Sequence, residues 1–181
     1  MDRDRAVAFC REKTEKETTL RHLISVEGVM RALARRFGED EDLWALTGLF
    51  HDLDQDQTGE DGVGHAEVAA GWLRESGVDG RVVNGVLAHA IPSYRTDRMS
   101  TAIVHADAVA GLLVAAALVR PERASGMKVS SVKKKLKEKA FAPGVNRAEI
   151  LDVEDSIGLP LDEFLAVSIE GLQLVAAEIG L

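Results

Sequence analysis

The chain lacks several features that would assign it at once to a familiar class. Only one of its 181 residues is cysteine, Cys10, so neither an intrachain disulfide framework nor a thiolate zinc site can form. Basic residues number 22 against 30 acidic ones, and the net charge of -8 argues against sequence-independent binding to duplex nucleic acid. We therefore expect a reducing cytoplasm as the compartment and no duplex nucleic acid as a partner.

Signals for export, membrane insertion and common phosphate-binding folds are also missing. The mixed-charge segment 1–5 is not followed by an uninterrupted apolar run, so no secretory signal is expected. No DNA-binding motif or Ser-His-Asp order is present, and the stretch 59–64 lacks the Lys-Ser/Thr of a phosphate loop. The most apolar stretch, 101–119, has nearly the length of a membrane span, but it contains His105 and Asp107. That composition favours a helix buried inside the fold and no membrane partner.

The alternation of apolar and polar residues that is typical of strands is scarce, and helical spacing dominates. We therefore predict an all-α fold forming a single domain over residues 1–181. The predicted helices lie at about 2–16, 20–37, 40–53, 64–76, 79–90, 99–119, 130–139, 146–157 and 161–179.

Residues that favour helix ends agree with these boundaries. Asn146 with Glu149 has the spacing of a capping box, and Pro160 is placed to open the last helix. Two segments, 54–64 and 120–128, are interpreted as irregular. The glycines that should end helices are Gly38, Gly77, Gly158 and Gly180.

Histidine is scarce too, and four of the five histidines fall on the apolar face of a separate predicted helix. His22 aligns with Val26, for example, and His89 aligns with Val86. This spacing predicts imidazoles that point into the core. The four are His22, His51, His65 and His89.

Two carboxylates accompany these histidines. Asp52 follows His51 directly, and adjacent helical residues diverge by about 100°, so the pair could face different sides of two metals. Asp107 lies in the most apolar helix, where an unpaired carboxylate is costly and needs a metal, a base or hydrogen bonds. Any single histidine here could be a hydrogen-bonded core residue, but the joint pattern favours a buried dinuclear metal centre. His105 falls on another side of its helix and is interpreted either as structural or as a residue that supports a metal ligand.

The types of ligand also limit the choice of metal. Neutral imidazoles together with carboxylates suit iron, manganese, zinc or cobalt. The absence of thiolates disfavours a closed structural zinc site.

The order of these six residues resembles the HD superfamily of metal-dependent phosphohydrolases. The likeness covers residues 20–115, and the segment 49–53, Leu-Phe-His-Asp-Leu, is similar to the family signature. The extra pair His65 and His89 resembles the dinuclear branch, which includes bacterial diadenosine tetraphosphate hydrolases and the HD-GYP cyclic dinucleotide phosphodiesterases. The Gly-Tyr-Pro signature of the latter is absent. Segments 118–121 and 141–147 are similar to small predicted HD hydrolases.

The resemblance implies a helical HD core over 20–115 and a helical C-terminal extension over 120–181. It further implies a phosphohydrolase that cleaves a phosphate ester or anhydride of a nucleotide or other small metabolite through a metal-bridging hydroxide. Asp52 would bridge the metals. His22, His51 and Asp107 would hold one metal or close the pair, and His65 with His89 would hold the other. Asp54 and Asp56 are candidates for accepting or donating a proton near the site, and the alternative is that they are solvated acids of a loop.

One departure concerns phosphate binding, because many HD hydrolases carry Lys four residues after the signature His, where this chain has Gln55. Residues 120–147 hold nine Lys or Arg against two acids, and a basic run can either bind phosphate or form a solvated helix face. The candidate phosphate ligands are Arg95, Arg98, Arg120, Lys128, Lys133 and Lys134.

Two other functions share the same ligand pattern. Some HD proteins with six such ligands are di-iron oxygenases, and the missing Lys also fits a metal- or nucleotide-binding module without turnover. The apolar final helix could complete the core or pair with a second copy, so the chain is expected to be a monomer or a homodimer.

Overall fold

The computed structural model describes residues 1–58 and 62–181, and within these residues all regular structure is helical. A 3₁₀ turn, Pro92–Tyr94, lies between α6 and α7. The all-α prediction is therefore confirmed. The α-helices are α1 (Arg3–Lys13), α2 (Glu17–Phe37), α3 (Glu41–Phe50), α4 (Gln55–Thr58), α5 (Glu67–Glu75), α6 (Gly80–Ala90), α7 (Arg98–Leu118), α8 (Val129–Lys137), α9 (Arg147–Leu151), α10 (Val153–Ile157) and α11 (Leu161–Val175).

Every predicted helix has a counterpart, and the differences have local causes. The segment 54–64 is not wholly irregular. The backbone carbonyl oxygen of Asp54 accepts hydrogen bonds from the amides of Gln57 and Thr58, and these bonds begin α4. Residues 59–61 lie outside the described residues. The prediction of an irregular segment over 54–64 and the comparison of 59–64 with a phosphate loop both fall partly on them. The predicted helix 146–157 is divided at Asp152 into α9 and α10.

The capping box predicted at Asn146 and Glu149 is wrong. Asn146 precedes α9, but its side chain makes no capping hydrogen bond within the described structure. A capping box occurs instead at α7, where the Asp97 carboxylate accepts from the Ser100 amide and the Ser100 hydroxyl accepts from the Asp97 amide. The sequence spacing alone did not distinguish these two sites.

Helix α2 is central, and α3, α7 and α11 all pack against it. Glycines permit the closest approaches. A Cβ added to Gly171 of α11 would lie 2.5 Å from the carbonyl oxygen of Gly28, and one added to Gly48 of α3 would lie 2.8 Å from that of Val26. Backbones therefore meet directly at both crossings, because no side chain separates them.

Helix α7 is long and apolar enough to cross a membrane by length and composition. In the fold, however, 67% of its most apolar stretch is buried. Ala102, Ile103, Val109 and Leu112 are fully enclosed by the other helices. This agrees with the interpretation of 101–119 as a core helix.

We predict that Gly171→Ala lowers the free energy of unfolding by about 1–3 kcal/mol, because the added methyl must push α11 away from α2. Gly71→Ala is the matched control, since a Cβ there meets no atom of the described structure within 4 Å. That control should be neutral or stabilising, because alanine favours helix over glycine by about 1 kcal/mol. Urea unfolding measures both, and equal effects would show that the crossing does not require glycine.

Asp56 caps the start of α2 from a distance. Its carboxylate accepts hydrogen bonds from the amides of Glu15 and Lys16 at 2.8 and 2.9 Å and from the Thr19 hydroxyl at 2.9 Å. Burial raises the pKa of Asp56, but the hydrogen bonds from the Lys16 and Glu15 amides outweigh that effect and leave it below its usual value. The charged form is therefore the one that stabilises the fold.

Asp56→Ala should cost about 1 kcal/mol at neutral pH, the usual effect of losing a helix cap. Because the pKa is lowered in the folded state, the stabilisation is present above the unfolded value of about 4 and is lost as the pH falls through the folded value. The difference in unfolding free energy between wild type and variant should therefore shrink in acid. A constant difference across that range would contradict this account.

Candidate metal centre

Six side chains predicted from spacing meet at one place in the bundle. They come from three helices and from the turns that follow α3 and precede α5, and each contributes an imidazole nitrogen or a carboxylate oxygen. The histidine rings lie close together, with centroids 5.1 Å apart for His22 and His51 and 4.8 Å apart for His51 and His89. The members are His22 of α2, His51 and Asp52 at the end of α3, His65 before α5, His89 of α6 and Asp107 of α7.

Asp107 occupies one side of the cluster. Its Oδ1 lies 2.9 Å from His22 Nε2 and 3.7 Å from His51 Nε2, and its Oδ2 lies 3.3 Å from His89 Nε2. His22, His51 and Asp107 offer ligand atoms within 4.8 Å of one another, which suits a shared cation. This set matches the predicted first metal site.

Asp52 faces both sides of the cluster. Its Oδ1 lies 3.2 Å from His65 Nε2 and 3.7 Å from His89 Nε2, whereas its Oδ2 lies 3.7 Å from His51 Nε2 and 3.9 Å from His22 Nε2. His51, Asp52 and His89 form a second set of atoms within 4.8 Å. His51 thus belongs to both sets. His65 belongs to neither set, and its polar contact with the cluster is the one with Asp52 Oδ1.

The donor atoms fit a divalent cation. Within the described residues, His51 Nε2 and Asp52 Oδ1 are buried and have no hydrogen-bond partner, which is costly for polar atoms. His51 Nδ1 lies 2.8 Å from the carbonyl oxygen of Gly48, so that Nδ1–H donates there and the Nε2 lone pair faces the cluster. A cation would satisfy both orphaned atoms, so these residues could hold a metal.

Asp54 orients one ligand instead of facing the cluster. Its Oδ1 lies 2.8 Å from His65 Nδ1, and its Oδ2 accepts from the Ala69 amide at 2.9 Å. Asp54 is fully buried, and this carboxylate–histidine arrangement fixes the ring so that Nε2 is the ligating nitrogen. The contacts make Asp54 a positioning residue, and they do not support the predicted proton-transfer role.

Electrostatics in the cluster couple acids to imidazoles. Burial raises the pKa of Asp52 and Asp107, but the neighbouring histidines outweigh that effect. His51 contributes most to holding the pKa of Asp52 below its usual range, and His22 contributes most for Asp107. The neighbouring carboxylates of Asp52 and then Asp54 raise the pKa of His65 to about 10. A cation that binds His65 must therefore displace a proton, which links metal binding to pH.

Asp56, the other predicted proton carrier, is directed elsewhere. Both oxygens of its carboxylate accept hydrogen bonds at the N-terminus of α2. Lys16 Nζ also lies 3.4 Å from Oδ1. The spacing that placed it near His51 and Asp52 along the chain did not place its side chain among them.

The predicted phosphate ligands do not gather at the cluster. Arg95 comes nearest, since its guanidinium donates to the carbonyl oxygens of Ala88 and His89 at 3.0 and 3.3 Å. Arg98 pairs with Glu39 and lies over the Phe37 ring. Arg95 therefore binds the C-terminal end of α6, and Arg98 joins the start of α7 to the end of α2.

The basic segment is engaged locally as well. Arg120 donates to the carbonyl oxygens of Arg123 and Ser125, and Lys133 pairs with Asp162. Lys128 precedes α8, and it and Lys134 are exposed. Within the described residues, none of these four side chains forms a hydrogen bond or ion pair with the cluster.

A cavity of about 380 Å³ opens beside the cluster, and its outer wall comes from the C-terminal extension. Asn146 and Glu149 are the polar residues of that wall, and sequence reasoning assigned them only to a helix cap. Burial and then the charge of Asp107 raise the pKa of Glu149. The described lining consists of His22, Asp107, Ala108, Gly111, Ala142, Gly144, Val145, Asn146 and Glu149.

Arg147 builds this wall. Its guanidinium donates to five backbone carbonyls and so folds the loop between α8 and α9 onto α7. The only sequence signal for this was the resemblance of segment 141–147 to other small HD proteins. The acceptors are the carbonyl oxygens of Leu136, Glu138, Phe141, Ala142 and Val145.

Comparison with known proteins gives a consistent result. The model of the HD domain matches residues 19–128, which include all six residues of the cluster. Ribonuclease Y 2 of Levilactobacillus brevis is 30% identical over 95 residues, which are 52% of this chain and 18% of that protein. The chain thus spans about a fifth of that relative, and no solved structure matches it significantly. Because the HD domain accounts for more than half of its length, the chain belongs to the HD domain family.

Proposed function

We propose that the chain hydrolyses a phosphate ester or anhydride of a nucleotide or other small metabolite with the help of two divalent transition metals, iron, manganese, zinc or cobalt. The HD superfamily is one of metal-dependent hydrolases. The observation that carries the proposal is the position of Asp52, whose two oxygens face different histidines of one buried cluster. Such a carboxylate is suited to bridge two cations.

His22, His51, Asp52, His65, His89 and Asp107 would hold the cations, which would supply Lewis acidity to an attacking water and to the phosphoryl group. The chain's own residues hold the geometry. The Gly48 carbonyl fixes the His51 tautomer, Asp54 fixes that of His65, and the cavity beside His22 and Asp107 admits the substrate. Asn146 and Glu149 face the substrate at the outer wall.

The proposed setting of this reaction is the reducing cytoplasm, with a small phosphorylated molecule as the partner. Cys10 supports it as a buried, unpaired thiol whose Sγ donates to the Leu49 carbonyl. Duplex nucleic acid and membranes are not proposed as partners, and the chain is proposed to act as a monomer or homodimer.

The first test is phosphate release from nucleotides, simple phosphate esters and a short RNA, with manganese or ferrous iron added. We expect metal-dependent release that Asp52→Ala reduces to background, because this change removes the carboxylate between the two ligand sets. Asp155→Ala, at an exposed residue of α10, is the control and should retain full activity.

Other outcomes identify other functions. Dioxygen consumption by the ferrous protein, without phosphate release, would replace the hydrolase with a di-iron oxygenase. Tight nucleotide binding without any product would identify a binding module.

A second test addresses the ligand orientation. Asp54→Asn should weaken metal binding about 10- to 100-fold, the usual effect of removing the carboxylate behind a metal-bound histidine. Asp56→Asn is the matched control, because its carboxylate contacts the start of α2 and not a ligand. Competition with a chelating dye measures both, and equal affinities in the two variants would show that Asp54 does not act through His65.

A further inference from the structure

A second cavity, of about 230 Å³, adjoins the one at the cluster. It lies between α2, α7 and the residues after α11. His22 and Gly111 line both cavities, so the two meet beside a candidate metal ligand. The described lining of the second cavity consists of Thr18, Arg21, His22, Ser25, Gly111, Val114, Leu118, Ile179 and Leu181.

The walls of this second cavity are mainly apolar. Val114, Leu118, Ile179 and Leu181 are its apolar side chains. Of the polar ones, the Ser25 hydroxyl donates to the Arg21 carbonyl and the Arg21 guanidinium pairs with Glu17, so Thr18 and Arg21 at the rim are the groups left to a polar ligand besides His22. An apolar cavity of this kind gains affinity by burying hydrocarbon and offers few partners to a hydroxyl-rich ligand.

The first cavity disfavours a nucleoside polyphosphate. Among the described residues that line it, the charged side chains besides His22 are Asp107 and Glu149, and none is Lys or Arg. None of the described residues of either cavity is Phe, Tyr or Trp, the side chains on which bases commonly stack. A ligand with one phosphate and an uncharged body meets neither obstacle.

We infer that the substrate class is a phosphate monoester of an apolar alcohol, with its phosphate at the cluster and its hydrocarbon body in the second cavity. This inference rests on the proposed hydrolysis. Water attacks phosphorus, the P–O bond to the alcohol breaks, and the alcohol oxygen takes up a proton. The products are the free alcohol and inorganic phosphate.

Gly111 is the specificity-determining residue in this arrangement, because it lies where the two cavities meet. A Cβ there would be 3.5 Å from Val145 Cγ2, an ordinary contact, so a larger residue can be introduced without a backbone clash. Gly111→Leu would then fill the passage. Gly71→Leu is the matched control, since it changes another helical glycine whose Cβ would meet open space in the described structure.

The test compares kcat/KM of the manganese-loaded full chain for hexyl, phenyl and methyl phosphate, a sugar phosphate, AMP and ATP. Hexyl and phenyl phosphate should exceed methyl phosphate and the polar compounds by about tenfold or more, since one methylene in an apolar pocket changes discrimination by roughly 10- to 200-fold. Gly111→Leu should abolish this preference chiefly through KM, and Gly71→Leu should preserve it.

Calorimetric titration with hexylphosphonate, which is not hydrolysed, gives a readout independent of turnover. Binding should weaken about tenfold or more in Gly111→Leu and stay unchanged in Gly71→Leu. Equal turnover of apolar and polar esters, or a preference that survives Gly111→Leu, would overturn the inference and leave the phosphohydrolase intact. If no compound releases phosphate, the proposed hydrolysis fails, and unchanged hexylphosphonate binding in Gly111→Leu would then reject the ligand class as well.

Discussion

Two carboxylates lie among four imidazoles where α2, α6 and α7 meet beside a cavity, and the rest of the structure must accommodate their charge. Removing an ionised carboxylate from water costs several kcal/mol unless a cation or hydrogen bonds compensate. Here the compensation comes from the histidines and from a cation that the cluster could hold, because Asp52 and Asp107 each approach at least three imidazoles. The bundle must therefore fix the positions of these side chains closely.

Close helix crossings provide that precision. On α3, Gly48 meets the backbone of α2 at Val26, and Thr47 meets Gly85 of α6, where an added Cβ would lie 2.5 Å from Thr47 Cγ2. Each contact lies about one turn from a cluster residue: four residues from Val26 to His22, four from Thr47 to His51 and four from Gly85 to His89. The small residues thus set the distances between the imidazoles.

The sequence was sufficient for the helices and for the convergence of the cluster, because both depend on local periodicity. An apolar face with a period of 3.6 residues places His22 or His89 toward the core whatever the neighbouring helices are. The tasks of Asp54 and Asp56 were not predictable in this way. Asp54 lies in the turn after His51 and Asp56 lies in the short helix α4. The contacts that separate them, with His65 and with the start of α2, are made to other segments.

The outer wall of the cavity was even less predictable from local periodicity. The wall depends on the guanidinium of Arg147, which donates hydrogen bonds to carbonyl oxygens of α8 and of the loop that follows. The sequence shows a basic run there, and a basic run in a proposed phosphohydrolase favours phosphate binding as its interpretation. In the structure Arg120 instead donates to the Arg123 carbonyl, and Lys133 pairs with the Asp162 carboxylate. These contacts satisfy the two cations without bringing them to the cluster.

Gln55 stands where many HD hydrolases carry lysine, so a phosphate at the proposed centre would depend on the charge of the cations themselves. Asp52, Asp107 and Asp54 carry three negative charges, and the two divalent cations of the proposed centre would bring four positive ones, which leaves one positive charge in a buried site. At low effective dielectric that excess attracts a phosphate strongly without a further cation from the protein. The same reasoning limits the ligand, since the described lining of the cavity includes no Lys or Arg that could bind a second phosphate. A centre built in this way is suited to one phosphate, and the remainder of the substrate must then be recognised by shape and apolar contact.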